Sequence, residues 1–277
     1  MTIIAAVLAG CARVQVVPTS REAVVTGAIA PALQALPLRE KLEYQVSWWG
    51  VAVGTVLMET SLANEEPNSS DEEDPLPLPS ALLKERLVKL TCTARSNPYL
   101  EAFYPVRVKI VSLIDPDARS PRWSYASIRR RFRFHESTIT MDPTKMTAFH
   151  KLPKKKSTTV SITPVTQDGL SMLYYVRTLP FELGKTIPLE ISADGKNWHL
   201  TGKIVRTGAV EVKRQGKWPA VEATAELTYP VPFFQGAKVR IWFSADGQRI
   251  PLLAKIHSRI GPVTVVLIQR FAPEKKS

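Results

Sequence analysis

Arginines set beside aromatic rings are the residues in this sequence most suited to binding chemistry. In Trp123 to Glu136, reading WSYASIRRRFRFHE, period-two alternation puts Arg129, Arg131, Arg133 and His135 on one face of a single strand. Ile128, Phe132 and Phe134 lie opposite, with Arg130 among them. A row of planar guanidiniums can grip phosphate or carboxylate oxygens through paired hydrogen bonds. The same row also serves as a solvated outer face that discourages pairing at a sheet edge. A second group lies in Thr166 to Leu179, TQDGLSMLYYVRTL, where Tyr174, Tyr175 and Arg177 either meet a ligand or pack as core. Trp242 and Arg249 flank Asp246-Gly247 further on. The candidate ligand-binding residues are thus Tyr174, Arg177, Trp242, Arg249, Arg129, Arg131 and Arg133.

Reaction chemistry is harder to place. No Gly-rich phosphate loop, no Gly-x-Ser-x-Gly and no His-Glu-x-x-His occurs. His135, His150, His199 and His257 stand singly, without a second ligand at metal-site spacing. Asp168 is better read as a helix cap, and Asp194, Asp246 and the Asp115-Pro116-Asp117 run as turns, than as catalytic acids. The reading therefore assigns no catalytic residue, metal or cofactor and expects no enzyme, leaving open a Ser–His–Asp site assembled in space.

The two cysteines differ in setting. Met1 to Gly10 is uncharged and apolar, no Lys or Arg precedes it, and it ends in Leu8-Ala9-Gly10-Cys11. That tetrapeptide resembles the lipobox of bacterial lipoproteins. The resemblance implies a signal peptide over 1–10, acylation of Cys11 and a membrane anchor of several chains. Ala12, where an aspartate would signal inner-membrane retention, points to an outer-membrane lipoprotein of the cell envelope facing the periplasm. Residues 11–37 read as a tether, rich in small residues and proline. Cys92 sits on an apolar strand face and reads as a small buried hydrophobe.

The elements that must position the arginines are mostly strands. Of the 277 residues 44% are hydrophobic, enough for a sizeable core, and the formal charge is +12. Such a balance favours anionic partners, a lipid or an anionic glycan; an exported protein rarely meets nucleic acid, so none is expected. Lys41 to Trp48 alternates cleanly and Gly50 turns it into Val51 to Thr60. Ala63 to Ser80 is acidic and proline-rich and reads as a disordered insertion. Ser137 to Phe149 reads as one strand. Asp246-Gly247 between alternating arms predicts a two-residue type I′ hairpin. One helix, about 167–179, interrupts the β pattern, with Leu170, Leu173 and Tyr174 on one side. The fold class is mostly β: a curved antiparallel sheet or open half-barrel with that helix inserted, spanning 38–271 as one domain, then a tail over 272–277.

Three segments together carry a likeness. REKLEYQVSWWGVAVGT (Arg39 to Thr55), QDGLSMLYYVRTLPFELGK (Gln167 to Lys185) and VRIWFSADGQRIPLLAKI (Val239 to Ile256) resemble the bacterial domain of unknown function 3108 in order and spacing. The likeness spans roughly Arg39 to Arg270 and implies a mostly antiparallel β fold with an inserted helix, like the half-barrels of lipoprotein-carrier proteins. It implies export, often as a lipoprotein, and no particular activity. The leading expectation is a lipid-anchored envelope protein that binds a lipid or other amphiphile in its concave sheet. The alternatives are a scaffolding lipoprotein without a ligand and, behind it, a glycan or lipid hydrolase.

Overall fold

The computed structural model describes residues 36–65, 78–152, 156–212, 215–227, 237–258 and 260–271. The strands are β1 (Lys41–Trp48), β2 (Val51–Leu62), β3 (Val88–Ser96), β4 (Val106–Asp115), β5 (Ser120–Arg130), β6 (Arg133–Asp142) and β7 (Thr147–Lys151). They continue as β8 (Thr158–Ser161), β9 (Thr186–Ala193), β10 (Lys196–Val212), β11 (Gly216–Leu227), β12 (Ala237–Ser244), β13 (Pro251–Ser258) and β14 (Gly261–Phe271). Two helices accompany them: α1 (Pro98–Glu101) between β3 and β4, and α2 (Ser171–Thr178) between β8 and β9. Among the described residues no helix is long and apolar enough to cross a membrane.

All the strands join one 14-stranded antiparallel sheet in the order β8 to β1, then β14 to β9. Except for β8 and β9, sequence neighbours are sheet neighbours, which is what short turns between alternating strands produce. The first and last strands pair with each other, Lys41 opposite Phe271, so both chain ends leave at the same end of the sheet. β8 and β9 are the two edges, and the sheet is not closed between them.

The curl brings those edges together all the same. Gln167, just before α2, makes a parallel bridge to β9, donating to Glu190 O at 2.9 Å and accepting from Ser192 N at 2.8 Å. Its side-chain amide donates to Arg119 O at 2.9 Å, reaching the β4–β5 turn across the seam. Asn197 Nδ2 donates to Ser161 O on β8 at 2.5 Å. The β8–β9 connection thus clips the two sides, and α2 fills the concave side.

The apolar positions sort accordingly. Leu42, Tyr44 and Val46 of β1, with Val56, Met58, Leu90, Cys92, Val108 and Ile110, form a cluster with Leu170 and Tyr174 of the helix segment. The other side of α2, through Val176, packs with Phe181 against Ile187, Ile191, Ile204 and Phe243. A third cluster (Ala63, Leu87, Val111, Leu113, Trp123, Tyr125) takes up the opposite face of β4 and β5. Leu78 and Leu82 pack on that cluster and Leu36 joins the first, so both ends of the 63–80 stretch read as disordered, at Ala63 and Leu78, and residue 36 of the expected tether belong to the core instead. Most of the acidic insertion, residues 66–77, and Cys11 lie outside the described residues.

Three local expectations are corrected. Trp123 to Glu136 is two strands, because the chain reverses at Arg131-Phe132, with Arg131 at φ 25°. Ser137 to Phe149 likewise divides into β6 and β7, where the Asp142 carboxylate accepts from Thr144 N and Lys145 N, both at 3.0 Å. At Asp246-Gly247 there is no two-residue I′ turn; strands resume only at Pro251. The Asp246 carboxylate accepts from Ser244 Oγ, Gln248 N and Arg249 N at 2.5, 3.1 and 3.2 Å. That side-chain turn outcompetes the tighter one, and the positive φ falls on Arg249. Asp194-Gly195 does form the primed geometry, with φ 52° and 78°.

Candidate functional site

Two groups of charged and aromatic residues stand at opposite ends of the sheet. The first fixes α2. Asp168 Oδ1 accepts from Leu170 N at 2.7 Å and Ser171 N at 3.0 Å, and its Oδ2 takes the Ser112 hydroxyl at 2.5 Å, which sets the helix start against β4. Burial holds the Asp168 carboxyl above the ordinary range, with Ser112 and the two backbone amides pulling the other way. At the far end of the helix, Arg177 makes a two-pronged bond to Glu40, Nη1 to Oε2 and Nη2 to Oε1, both 2.7 Å. The pair is almost wholly buried, 3% and 6% exposed. Burial works against the Arg177 charge, but the Glu40 carboxylate more than offsets it and leaves the guanidinium above its usual pKa.

Arg249 completes this lock. Its Nη1 donates to Arg177 O at 2.9 Å and also to Leu179 O, so a guanidinium satisfies the last carbonyls of α2 where the helix dipole is negative. Tyr174 packs under the Arg177 guanidinium, 5.1 Å from its ring centre. Among the described residues neither Tyr174 Oη nor Tyr44 Oη, both buried, has a hydrogen-bond partner. Beside this lock a cavity of about 420 Å³ opens between Leu36–Glu40, Gln248 and Arg270.

The second group is at the other end. The turn between β5 and β6 and the start of β4 surround a cavity of about 530 Å³ lined by Pro105, Arg107, Arg129, Arg130, Arg131, Phe132, Arg133 and Phe134. Arg131 lies over the Phe132 ring at 4.7 Å and Arg129 over Phe134 at 5.4 Å. Arg130 and Arg133 face each other directly across the two strands, a like-charge pairing that costs stability. Burial lowers the Arg130 pKa from its ordinary value; the Tyr104 hydroxyl, hydrogen-bonded to it, counters this, and Arg133 adds to the lowering.

A family model described as "Protein of unknown function (DUF3108)" matches residues 82–268. The chain belongs to the DUF3108 family. Two of the three segments that carry the resemblance, Gln167 to Lys185 and Val239 to Ile256, lie within this DUF3108 match, and Arg39 to Thr55 precedes it. No curated protein matches the chain. Its fold is shared with a crystal structure of a β-barrel-like protein of domain of unknown function DUF1849 from Brucella abortus. That likeness has a TM-score of 0.53 at 10% identity, covering 86% of this chain and 98% of that one. A DUF1089 family protein from Pseudomonas aeruginosa gives 0.32 at 8% identity over 59% of this chain and 82% of that one.

The sequence-predicted residues of this DUF3108 protein therefore separate. Tyr174, Arg177 and Arg249 come together in the helix lock. Trp242 is buried elsewhere, on β12, between Arg240 and Lys255. Arg129, Arg131 and Arg133 gather in the rim cavity, joined by Arg107 and Arg130, which sequence reasoning left out of the site. Arg130 could have been found: once the reversal at Arg131-Phe132 is allowed, both faces of the short hairpin are arginine-bearing.

The His150–Ser192 contact in the seam does not have the arrangement of a serine hydrolase. His150 Nδ1 accepts from Gly195 N at 3.2 Å, so the ring proton sits on Nε2 and points at Ser192 Oγ, 3.0 Å away. A general base needs the opposite tautomer. Both residues are fully buried, and burial lowers the His150 pKa. Burial pushes the Cys92 thiol up to about 12, which keeps it protonated and unreactive.

Proposed function

We propose that this is an acyl-anchored cell-envelope protein that binds the headgroup of an anionic amphiphile in the arginine–phenylalanine cavity at the β5–β6 turn. The supporting observation is five guanidiniums and two phenyl rings around one opening of about 530 Å³, within the span of small-molecule sites, about 300–1,000 Å³. The concave sheet favoured by sequence reading is a weaker host, because α2 occupies it and Leu170 and Tyr174 are fully buried there. Facing arginines at Arg130 and Arg133 repel each other, and an anion between them relieves that repulsion. Rings at Phe132 and Phe134 offer apolar surface for the first methylenes of a tail.

Calorimetric titration of dodecyl phosphate below its micelle concentration tests the reading. Dodecyl phosphate binds, and dodecyltrimethylammonium, with the same tail and the opposite charge, does not. Arg131→Glu with Arg133→Glu weakens binding at least tenfold, since hydrogen bonds to charged groups are each worth about 1.5–3 kcal/mol. Equal affinity for both headgroups would refute it.

The anchor rests on the Leu-Ala-Gly-Cys11 resemblance. In detergent phase separation the bacterially exported chain partitions with the detergent, and Cys11→Ser moves it to the aqueous phase. Unchanged partitioning would argue against acylation at Cys11.

A further inference from the structure

The cavity is part of a larger surface. Trp49 on the β1–β2 turn, Tyr99, Phe103 and Tyr104 on the β3–β4 loop, and Phe132 and Phe134 at the β5–β6 turn are all exposed. They are six of the seven aromatic side chains exposed among the described residues, and all lie at the end of the sheet opposite both chain termini. Exposure reaches 84% at Tyr99, 76% at Phe103 and 86% at Phe132, more than any packing role requires. Isolated exposed rings are ordinary, but exposed rings concentrated at one end of a fold mark an interaction surface.

The three tips are held as one rim. Asn97 Nδ2 donates to Ala52 O at 2.6 Å, and Asn97 N to Val53 O at 2.6 Å, joining the β3–β4 loop to β2. Arg131 N donates to Pro105 O at 3.1 Å, joining that loop to the β5–β6 turn. Trp49, at φ 46°, lies over Gly261, where a Cβ would come within 2.4 Å of its indole nitrogen. The charge is one-sided: Glu101 is the only acidic residue on the tips, and it is already paired with Arg107 at 2.7 Å.

We propose that this rim docks the protein onto an anionic lipid bilayer, with the rings in the headgroup zone and the arginines on lipid phosphates. Amphipathic rings and basic side chains together are what the membrane–water interface selects. A protein partner would need carboxylates across the whole rim, whereas an anionic bilayer supplies phosphates at every position. β1 begins and β14 ends at the other end, and the 25-residue interval from Cys11 to Leu36 has a contour of at most roughly 80 Å. An acyl anchor at Cys11 therefore leaves the rim free to reach a bilayer. The proposal rests on the headgroup reading of the arginine cavity and extends it to Tyr99 and Phe103, which do not line that cavity.

Co-sedimentation of the full chain carrying Cys11→Ser with phosphatidylcholine vesicles, with and without phosphatidylglycerol, tests it. Binding requires phosphatidylglycerol and falls with added salt. Arg131→Glu with Arg133→Glu lowers partitioning roughly 30-fold or more, at about 1 kcal/mol for each basic residue at the surface. Tyr99→Ser with Phe103→Ser lowers it roughly tenfold while leaving dodecyl phosphate affinity unchanged. These four positions are on the surface, so an unchanged melting temperature certifies the fold. Vesicle binding without dodecyl phosphate binding would sink the headgroup cavity and leave the docking rim standing. Binding indifferent to phosphatidylglycerol, or unaffected by the Tyr99 and Phe103 changes, would overturn the docking. So would a change in oligomeric state without loss of vesicle binding, which would make the rim a contact between copies.

Discussion

Arg177→Met costs about 3–5 kcal/mol of unfolding free energy, the largest effect expected of any single change in the lock. It leaves Glu40 buried without its partner and removes the bonds to Gln248 O, at 3.1 Å from Nη2 and 3.3 Å from Nε. Exposed ion pairs contribute little, but this one is 3% and 6% exposed, so solvent screening gives no discount. The sign of the double change is more telling. Arg177→Met with Glu40→Leu removes both charges together, and their joint desolvation cost with them, so much of the lost stability returns. Urea denaturation of the two single variants and the double variant measures this. A single-variant loss below about 1 kcal/mol would mean the pair is solvated in solution.

Gly54→Ala is the second large effect. A Cβ at Gly54 would lie 2.4 Å from Arg95 O, 3.3 Å from Arg95 C and 3.4 Å from Ser96 Cα, all backbone atoms of the paired strand. No side-chain rotation relieves that contact, so β2 and β3 must part where they lead into the rim. Overpacking of this kind costs about 1–3 kcal/mol, occasionally more. Gly208 on β10 is the control. Nothing lies within 4 Å of a Cβ there, and Gly208→Ala should be neutral or stabilise by up to about 1 kcal/mol. A Gly54→Ala variant that melts with the wild-type chain would show that these strands are not so closely paired.

The likeness to the DUF1849 protein, at 10% identity, extends to the fold alone. On that frame this chain carries a paired, buried lock at one end and arginines facing arginines at the other.

Period-two hydrophobicity was enough to read the sheet. Leu42, Tyr44 and Val46 alternate with polar residues, and in the structure each is buried on the concave side. The helix was legible from Asp168 and from the spacing of Leu170, Leu173 and Tyr174, although the helical turns begin only at Ser171. Turn chemistry was read less well. Asp-Gly at 194 gives the primed turn, whereas the same dipeptide at 246 does not, because Ser244 and Arg249 lie within reach of the Asp246 carboxylate.

Alternation along one strand could only mark Arg129, Arg131 and Arg133 as one row, because it depends only on the pleat, whereas across β5 and β6 Arg133 stands opposite Arg130 and Arg129 opposite Phe134. It could not reveal that the row folds back on itself at Arg131-Phe132, or that Arg107 arrives from β4 to complete the cavity. Arg177 and Glu40 are 137 residues apart, and their bond exists only because the sheet curls until α2 meets the start of β1. Local pattern carries the secondary structure and the burial of each face. Contacts between distant segments depend on register and curvature, which are properties of the whole sheet, and those contacts decided which arginines are buried in the lock and which line the rim cavity.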